Sequence, residues 1–225
     1  VTWVCVVPVK GSALAKSRLG DLPEAFPARS ELAEAFALDT VAALLATGMV
    51  ERVLVVTADP AAAVPLQALG AQIVPEPPRT IAPDASPHGP LNAAIAEGVR
   101  VAVASHPLCD IAVITGDLPA LTVADVEVTL TAAAVHDRAM VADRAGTGTT
   151  TLLARAGSRL TPRFGIGSRA AHEAAGHVPL DLPGTATIRS DVDTVDDLAE
   201  VLRRGVGVHT SALIARSQRM PHPGA

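Results

Sequence analysis

Lysine is nearly missing from this chain: only Lys10 and Lys16 stand among eighteen cationic side chains, and all the others are arginine. Aromatic residues are almost as scarce, with three Phe, one Trp and no Tyr. That poverty excludes the stacking platforms on which single-stranded nucleic-acid binding relies. A net charge of −5 argues against any general affinity for nucleic acid, so a bound nucleotide is expected to be a small one. Cys5 and Cys109 form no C-x-x-C pair and sit in no Cys/His run, so buried thiols are expected and neither a disulfide nor a zinc site is. There is no run of about 18 uninterrupted apolar residues, and the N-terminus enters a strand without a basic region, apolar run and cleavage site. The expectation is a soluble, cytoplasmic protein without a membrane partner. No G-x-G-x-x-G follows the first strand, which disfavours a Rossmann dehydrogenase.

What is present is a regular alternation. Short β-branched runs at 3–9, 52–57, 71–75, 111–115, 139–143 and 149–154 are separated by alanine-rich stretches with helical spacing. This pattern predicts one α/β domain with a mostly parallel sheet covered on both faces. Leu32, Phe36, Val41, Leu44 and Leu45 give one helix an apolar face over 30–47, with Ser30 as N-cap and Gly48 as the stop. Further helices are expected over 91–104, over 123–135, and from near Thr194 to just before Gly205. The first 80 residues then read as half of a nucleotide-binding sheet. The segment 75–90 holds six prolines and is read as a loop. The domain is expected to span 1–208, with 209–225 a disordered tail.

The two lysines occupy the loop after the first strand, Val9-Lys10-Gly11-Ser12-Ala13-Leu14-Ala15-Lys16-Ser17-Arg18, which carries three cations and no carboxylate. Retained lysines in so arginine-biased a chain point to sites where a compact charge is wanted. A strand opening into a flexible cationic loop suits a polyphosphate, although a solvated surface loop has the same composition.

Ile111-Ala112-Val113-Ile114-Thr115-Gly116-Asp117-Leu118-Pro119 is an apolar strand delivering Asp117 at its carboxyl end, where ligands bind in open parallel sheets. A carboxylate there suits Mg²⁺, which takes one or two protein carboxylates and completes its shell with water and phosphate oxygens. Beginning the turn before Pro119 would be the plainer role. Asp191 and Asp193 have the i, i+2 spacing that sends both side chains to one side of an extended segment. One of them is the expected second ligand, while Thr194, Asp196 and Asp197 cap the helix that follows.

From Arg144 to Arg189 there are six arginines against Glu173 and Asp181. This region includes Gly146-Thr147-Gly148-Thr149-Thr150-Thr151 and Phe164-Gly165-Ile166-Gly167-Ser168-Arg169. The arginine excess favours an anionic acceptor, and a turn with an N-cap accounts for the second string without any ligand. Asn92 offers an amide able to read a base edge or to serve as an ordinary first-turn residue.

The ordered set Pro8-Val9-Lys10, Ala15-Lys16-Ser17-Arg18-Leu19, Gly89-Pro90-Leu91-Asn92, Gly116-Asp117-Leu118-Pro119, Gly148-Thr149-Thr150, Phe164-Gly165-Ile166-Gly167-Ser168 and Asp191-Val192-Asp193-Thr194 resembles the phosphoenolpyruvate and 2-phospho-L-lactate guanylyltransferases of deazaflavin coenzyme biosynthesis. The set departs from the pattern in having Thr where Asn would follow Gly-Thr, and Val195 where relatives often carry Pro. The resemblance implies a single-domain, Rossmann-like nucleotidyltransferase of glycosyltransferase-A-like fold with a mostly parallel, mixed sheet. It implies GTP and phosphoenolpyruvate (or 2-phospho-L-lactate) as substrates and Mg²⁺ as cofactor. It assigns Lys10, Lys16 and Arg18 to the triphosphate, and Asp117 with Asp191 or Asp193 to the metal. Thr150, Gly165 and Ser168 fall around the acceptor. Another acceptor on the same fold, such as a molybdopterin or a sugar phosphate, and a non-catalytic nucleotide-binding domain are the alternatives.

Overall fold

Trp3 forms strand pairs with both Val50 and Asp110, which puts the first strand of the chain at the centre of the sheet. The computed structural model describes residues 1–10, 19, 26–78 and 89–219. Its strands are β1 (Trp3–Pro8), β2 (Val50–Thr57), β3 (Gln72–Pro75), β4 (Asp110–Ile114), β5 (Arg138–Ala142), β6 (Thr149–Ala154) and β7 (Val178–Pro179). They form one seven-stranded sheet in the order β3-β2-β1-β4-β6-β5-β7. Only β6 runs against its neighbours, pairing antiparallel with both β4 and β5. The helices are α1 (Arg29–Leu45), α2 (Pro60–Leu69), α3 (Gly89–Ser105), α4 (Val123–Ala133), α5 (Ser168–Ala174), α6 (Val195–Arg204) and α7 (Val208–Ser217).

The strands read as continuous apolar runs because both faces are covered. Trp3, Cys5 and Val7 of β1 pack with Val41 and Leu44 of α1 and with Val126 and Leu130 of α4. The alternate residues Val4 and Val6 pack with Ala94, Ile95 and Ala102 of α3 on the opposite face. This is the two-sided burial that parallel strands require. Burial also raises the Cys5 thiol to about 12, so it stays protonated and acts as a small apolar side chain. Among the described residues no helix is long and apolar enough to cross a membrane.

Two expectations change. The first helix begins one residue early, with Ala28 as N-cap and the Glu31 carboxylate accepting the Ala28 N–H at 2.9 Å, so Ser30 lies inside the helix. Of the segment 209–225, expected to be a disordered tail, residues 209–217 lie in α7 and 220–225 lie outside the described residues. The buried Asp39 carboxylate of α1 accepts the N–H groups of His209 and Thr210, both at 2.9 Å, and so satisfies donors that a helix start leaves open. Leu213 then enters the apolar cluster containing Leu32 and Phe36.

Candidate active site

β1 and β4 are neighbours, so the residues leaving their carboxyl ends emerge side by side. Lys10 leaves β1 exposed to solvent. Gly116 leaves β4 so close to β1 that a Cβ there would lie 3.2 Å from the Pro8 carbonyl oxygen and 3.3 Å from Val9 Cγ2. Glycine at 116 therefore lets the turn that carries the half-buried Asp117 pass close to the end of β1. Lys16 and Arg18 lie outside the described residues. Leu19, where the described chain resumes, is fully buried in one apolar cluster with Val192 and Leu198.

The second acidic segment reaches the same place through the main chain. The Val192 N–H donates to the Asp117 carbonyl oxygen at 3.1 Å. Val192 is fully buried while its flanking residues Asp191 and Asp193 are partly exposed. Two carboxylate-bearing stretches separated by more than seventy residues of sequence are thus joined at Asp117 and Val192. Among the described residues no group of three or more His, Cys, Asp or Glu side chains is gathered tightly enough to hold a metal on its own. An all-oxygen set of one or two carboxylates is nonetheless the donor chemistry that suits Mg²⁺, whose shell is completed by water and substrate phosphate.

Several contacts lock this junction. The Leu118 N–H donates to Thr40 Oγ1 at 3.1 Å, and the same hydroxyl donates to the Phe36 carbonyl at 2.8 Å. The Gly207 N–H donates to the Pro119 carbonyl at 2.8 Å. Thr150 at the start of β6 bonds in both directions: its carbonyl accepts the Thr115 N–H at 3.0 Å, and its hydroxyl donates to the Ile188 carbonyl at 2.7 Å. That hydroxyl has one proton and gives it to the short 3-10 turn Thr187–Arg189, so in this structure it fixes the approach to Asp191. The helix after the acidic segment is capped as its sequence implies. The Asp197 carboxylate accepts the Thr194 N–H at 3.0 Å and pairs with Arg144 at 3.1 Å.

Gly165 and Ser168 lie on the turn between β6 and α5. Ser168 is buried, and its N–H bonds to the Gly165 carbonyl at 3.0 Å. The turn is held from upstream by two side chains. Asn92 Nδ2 donates to the Phe164 carbonyl at 3.0 Å, and Asn92 Oδ1 accepts the Phe164 N–H at 2.8 Å. The fully buried His172 accepts the Arg163 N–H on Nε2 at 2.9 Å and meets Thr149 Oγ1 through Nδ1 at 2.9 Å. Since Nε2 accepts, the imidazole is neutral with its proton on Nδ1. Burial pushes its pKa down to about 4, with His177 and Arg163 adding to the effect.

The family model described as "Guanylyl transferase CofC like" matches residues 3–219. The chain belongs to this guanylyltransferase family. It is 49% identical over 214 residues to the phosphoenolpyruvate guanylyltransferase of Streptomyces scabiei, covering 95% of this chain and 96% of the relative. It is 44% identical to that of Thermomonospora curvata, covering 100% and 93%. Among solved structures, a provisionally named nucleotide-diphospho-sugar transferase from Desulfovibrio desulfuricans G20 superposes with a TM-score of 0.64 at 17% identity, covering 96% of this chain and 99% of that one. A 4-diphosphocytidyl-2C-methyl-D-erythritol synthase superposes at 0.54 and 15% identity, covering 90% and 97%. Both share the fold.

In this CofC-like guanylyltransferase, three of the six arginines whose excess favoured an anionic acceptor make contacts within the fold. Arg169 pairs with Glu173 at 2.8 Å and donates to the Gly146 carbonyl at 3.1 Å. Arg189 donates to the carbonyls of Leu182 and Asp143, and Arg144 is held by Asp197 and Glu200. Asn92, expected at a base edge, uses both ends of its amide on the Phe164 main chain. Thr40 and Asn92 as a clamp were not legible as site-building residues, because each acts on a partner more than seventy residues away, and His172 was not because it bonds a main-chain N–H nine residues before it, a contact no ligand spacing signals.

Proposed function

We propose that this chain transfers the guanylyl group of GTP to the phosphate of phosphoenolpyruvate and releases pyrophosphate, in deazaflavin coenzyme biosynthesis. The observation that carries the reading is the Val192 to Asp117 hydrogen bond, which brings two acidic segments together beside the exit of the lysine-bearing loop. The names of its relatives, close in sequence over nearly the whole chain, support the acceptor.

The acceptor phosphate is already ionised at neutral pH, so no side chain has to remove a proton. One of its oxygens attacks the α-phosphorus in line as the bond to the pyrophosphate oxygen breaks, leaving a phosphoanhydride between acceptor and GMP. The protein's work is to hold two mutually repelling polyanions in register and to stabilise the charge that moves onto the leaving group. Lys10, Lys16 and Arg18 take the triphosphate and neutralise the departing oxygens. Asp117 with Asp191 or Asp193 would hold Mg²⁺, which would supply charge neutralisation for the reacting phosphates. Gly165 and Ser168 take the acceptor on a turn held by the main chain, and Thr150 acts by fixing the Ile188 segment.

The test is a pyrophosphate-release assay of four nucleoside triphosphates against phosphoenolpyruvate, 2-phospho-L-lactate and 3-phosphoglycerate, with the product mass recorded. GTP with phosphoenolpyruvate is expected to be the productive pair. Release with a different acceptor would move the chain to another nucleotidyltransferase reaction. Nucleotide binding without release under any acceptor or divalent metal would make it a binding domain.

A further inference from the structure

The turn from Phe164 to Ser168 is closed by the bond from the buried Ser168 N–H to the Gly165 carbonyl, but its middle has little to fix its position. Gly165 and Gly167 adopt φ of 133° and 70°, in the region that glycine enters without strain. Ile166 between them is 88% exposed, so it packs against nothing that would hold the turn in place. What is fixed is the peptide just before it. Asn92, in the first turn of α3, bonds both main-chain groups of Phe164, donating at 3.0 Å and accepting at 2.8 Å. From the other side His172 accepts the neighbouring Arg163 N–H at 2.9 Å, and the Phe164 ring lies edge-on to it with centroids 5.1 Å apart. The Phe164 side chain is buried against the α3 face of the sheet. Asn92 therefore makes the contact a neighbouring strand would make, and makes it at the hinge end of a glycine turn.

We propose that Asn92 is a positioning residue that sets affinity for the acceptor, by holding the Phe164 peptide so that Gly165 and Ser168 meet the acceptor's anionic groups. This role rests on the reading of that turn as the acceptor site. It differs from the base-reading role that the residue type invites, because the amide is turned onto the main chain of Phe164. Removing the amide takes both side-chain bonds from the Phe164 main chain, so the defect should fall mainly on the substrate that this turn holds.

The experiment measures KM for phosphoenolpyruvate, KM for GTP, kcat and the GTP-to-ATP preference in Asn92→Asp, Asn92→Ala and Ser168→Ala, with the melting temperature of each. Asn92→Asp keeps the size and the acceptor for the Phe164 N–H but sets a charged oxygen against the Phe164 carbonyl where the donor was, so it reports on that bond even where alanine fails to fold. The expected result is a rise of at least tenfold in KM for phosphoenolpyruvate in both Asn92→Ala and Asn92→Asp, with KM for GTP and base preference unchanged. A changed GTP-to-ATP preference with unchanged KM for phosphoenolpyruvate would overturn the proposal and return Asn92 to the base. A fall in kcat and melting temperature with both KM values unchanged would overturn it in favour of a purely structural role. If Ser168→Ala raises KM for phosphoenolpyruvate and neither Asn92 variant does, the positioning role fails while the acceptor site stands. If Ser168→Ala leaves that KM unchanged, the acceptor site fails and takes this role with it.

Discussion

Thr40 and Leu118 are joined at 3.1 Å across the interior, the threonine hydroxyl accepting the amide of the residue that follows Asp117. Thr40 is fully buried, so no water replaces the bond if it is lost. A buried amide without a partner costs about 1–3 kcal/mol. Thr40→Val keeps the shape and removes the acceptor. It is expected to lower kcat by about tenfold, the kinetic equivalent of roughly 1.4 kcal/mol, and Thr40→Ser is expected to recover most of it. A valine variant with full turnover in the pyrophosphate assay would show that the loop holds its shape without α1.

Asp117→Asn alters charge with almost no change in volume. Loss of one electrostatic contact to the reacting phosphates is expected to reduce turnover by about two to three orders of magnitude. The melting temperature should stay near that of the unaltered protein. Measured at saturating divalent metal, near-normal turnover would remove Asp117 from the chemistry.

The buried histidine pair predicts an acid limit to stability. In the folded chain His172 stays neutral down to about 4, against its ordinary value of 6.5. Burial also holds His177 below its ordinary value, partly opposed by its hydrogen bond to the His172 carbonyl and helped by the nearby Arg138. Between those pH values the unfolded chain binds protons that the folded chain does not. Stability is therefore complete above 6.5 and falls as the pH drops, by about 1.4 kcal/mol per pH unit for His172, with His177 acting in the same direction. Urea titrations from pH 7 to 4.5 should show this slope, and it should diminish in His172→Asn. A flat profile would mean that the imidazole gains a proton without leaving its site.

Gly207 adopts an ordinary extended backbone, yet a Cβ there would fall 2.3 Å from Asp39 Cγ. Gly207→Ala therefore acts through crowding alone. It should displace the carboxylate that caps α7 and lengthen the Gly207 to Pro119 bond, with a loss of about 1–3 kcal/mol, typical of overpacking. Amide exchange across 208–217 is the measurement, and protection equal to that of the unaltered chain would show that Asp39 moves aside at no cost.

These residues also mark what a linear reading can and cannot reach. The β1, β2 and β4 strands were legible because a two-sided sheet demands uninterrupted Val and Ile. The start of α6 was legible because Thr194 and Asp197 cap it within one turn. Asp117 was expected from strand-end logic and Asp191 and Asp193 from their i, i+2 spacing, and the bond from the Val192 N–H to the Asp117 carbonyl brings the two main-chain segments together. By contrast, α7 starts with the polar run His209-Thr210-Ser211, and its cap is an aspartate about 170 positions earlier. The Asn92 amide has its partner 72 residues away. The acidic partners and main-chain carbonyls that occupy Arg144, Arg169 and Arg189 are set by packing, so arginine content alone overstated the positive charge available to an acceptor.

The placement of β1 has a consequence for how the chain folds. Of the described strands this one leaves the ribosome first, and it cannot complete its hydrogen bonding until Asp110 to Val113 have been made. Until then one edge of a highly apolar strand is open, and long-range closures of this kind are slow to form. Folding during synthesis should pause with β1 paired to β2 alone, and a chaperone that shields exposed strand edges would have most effect before the second half of the chain emerges.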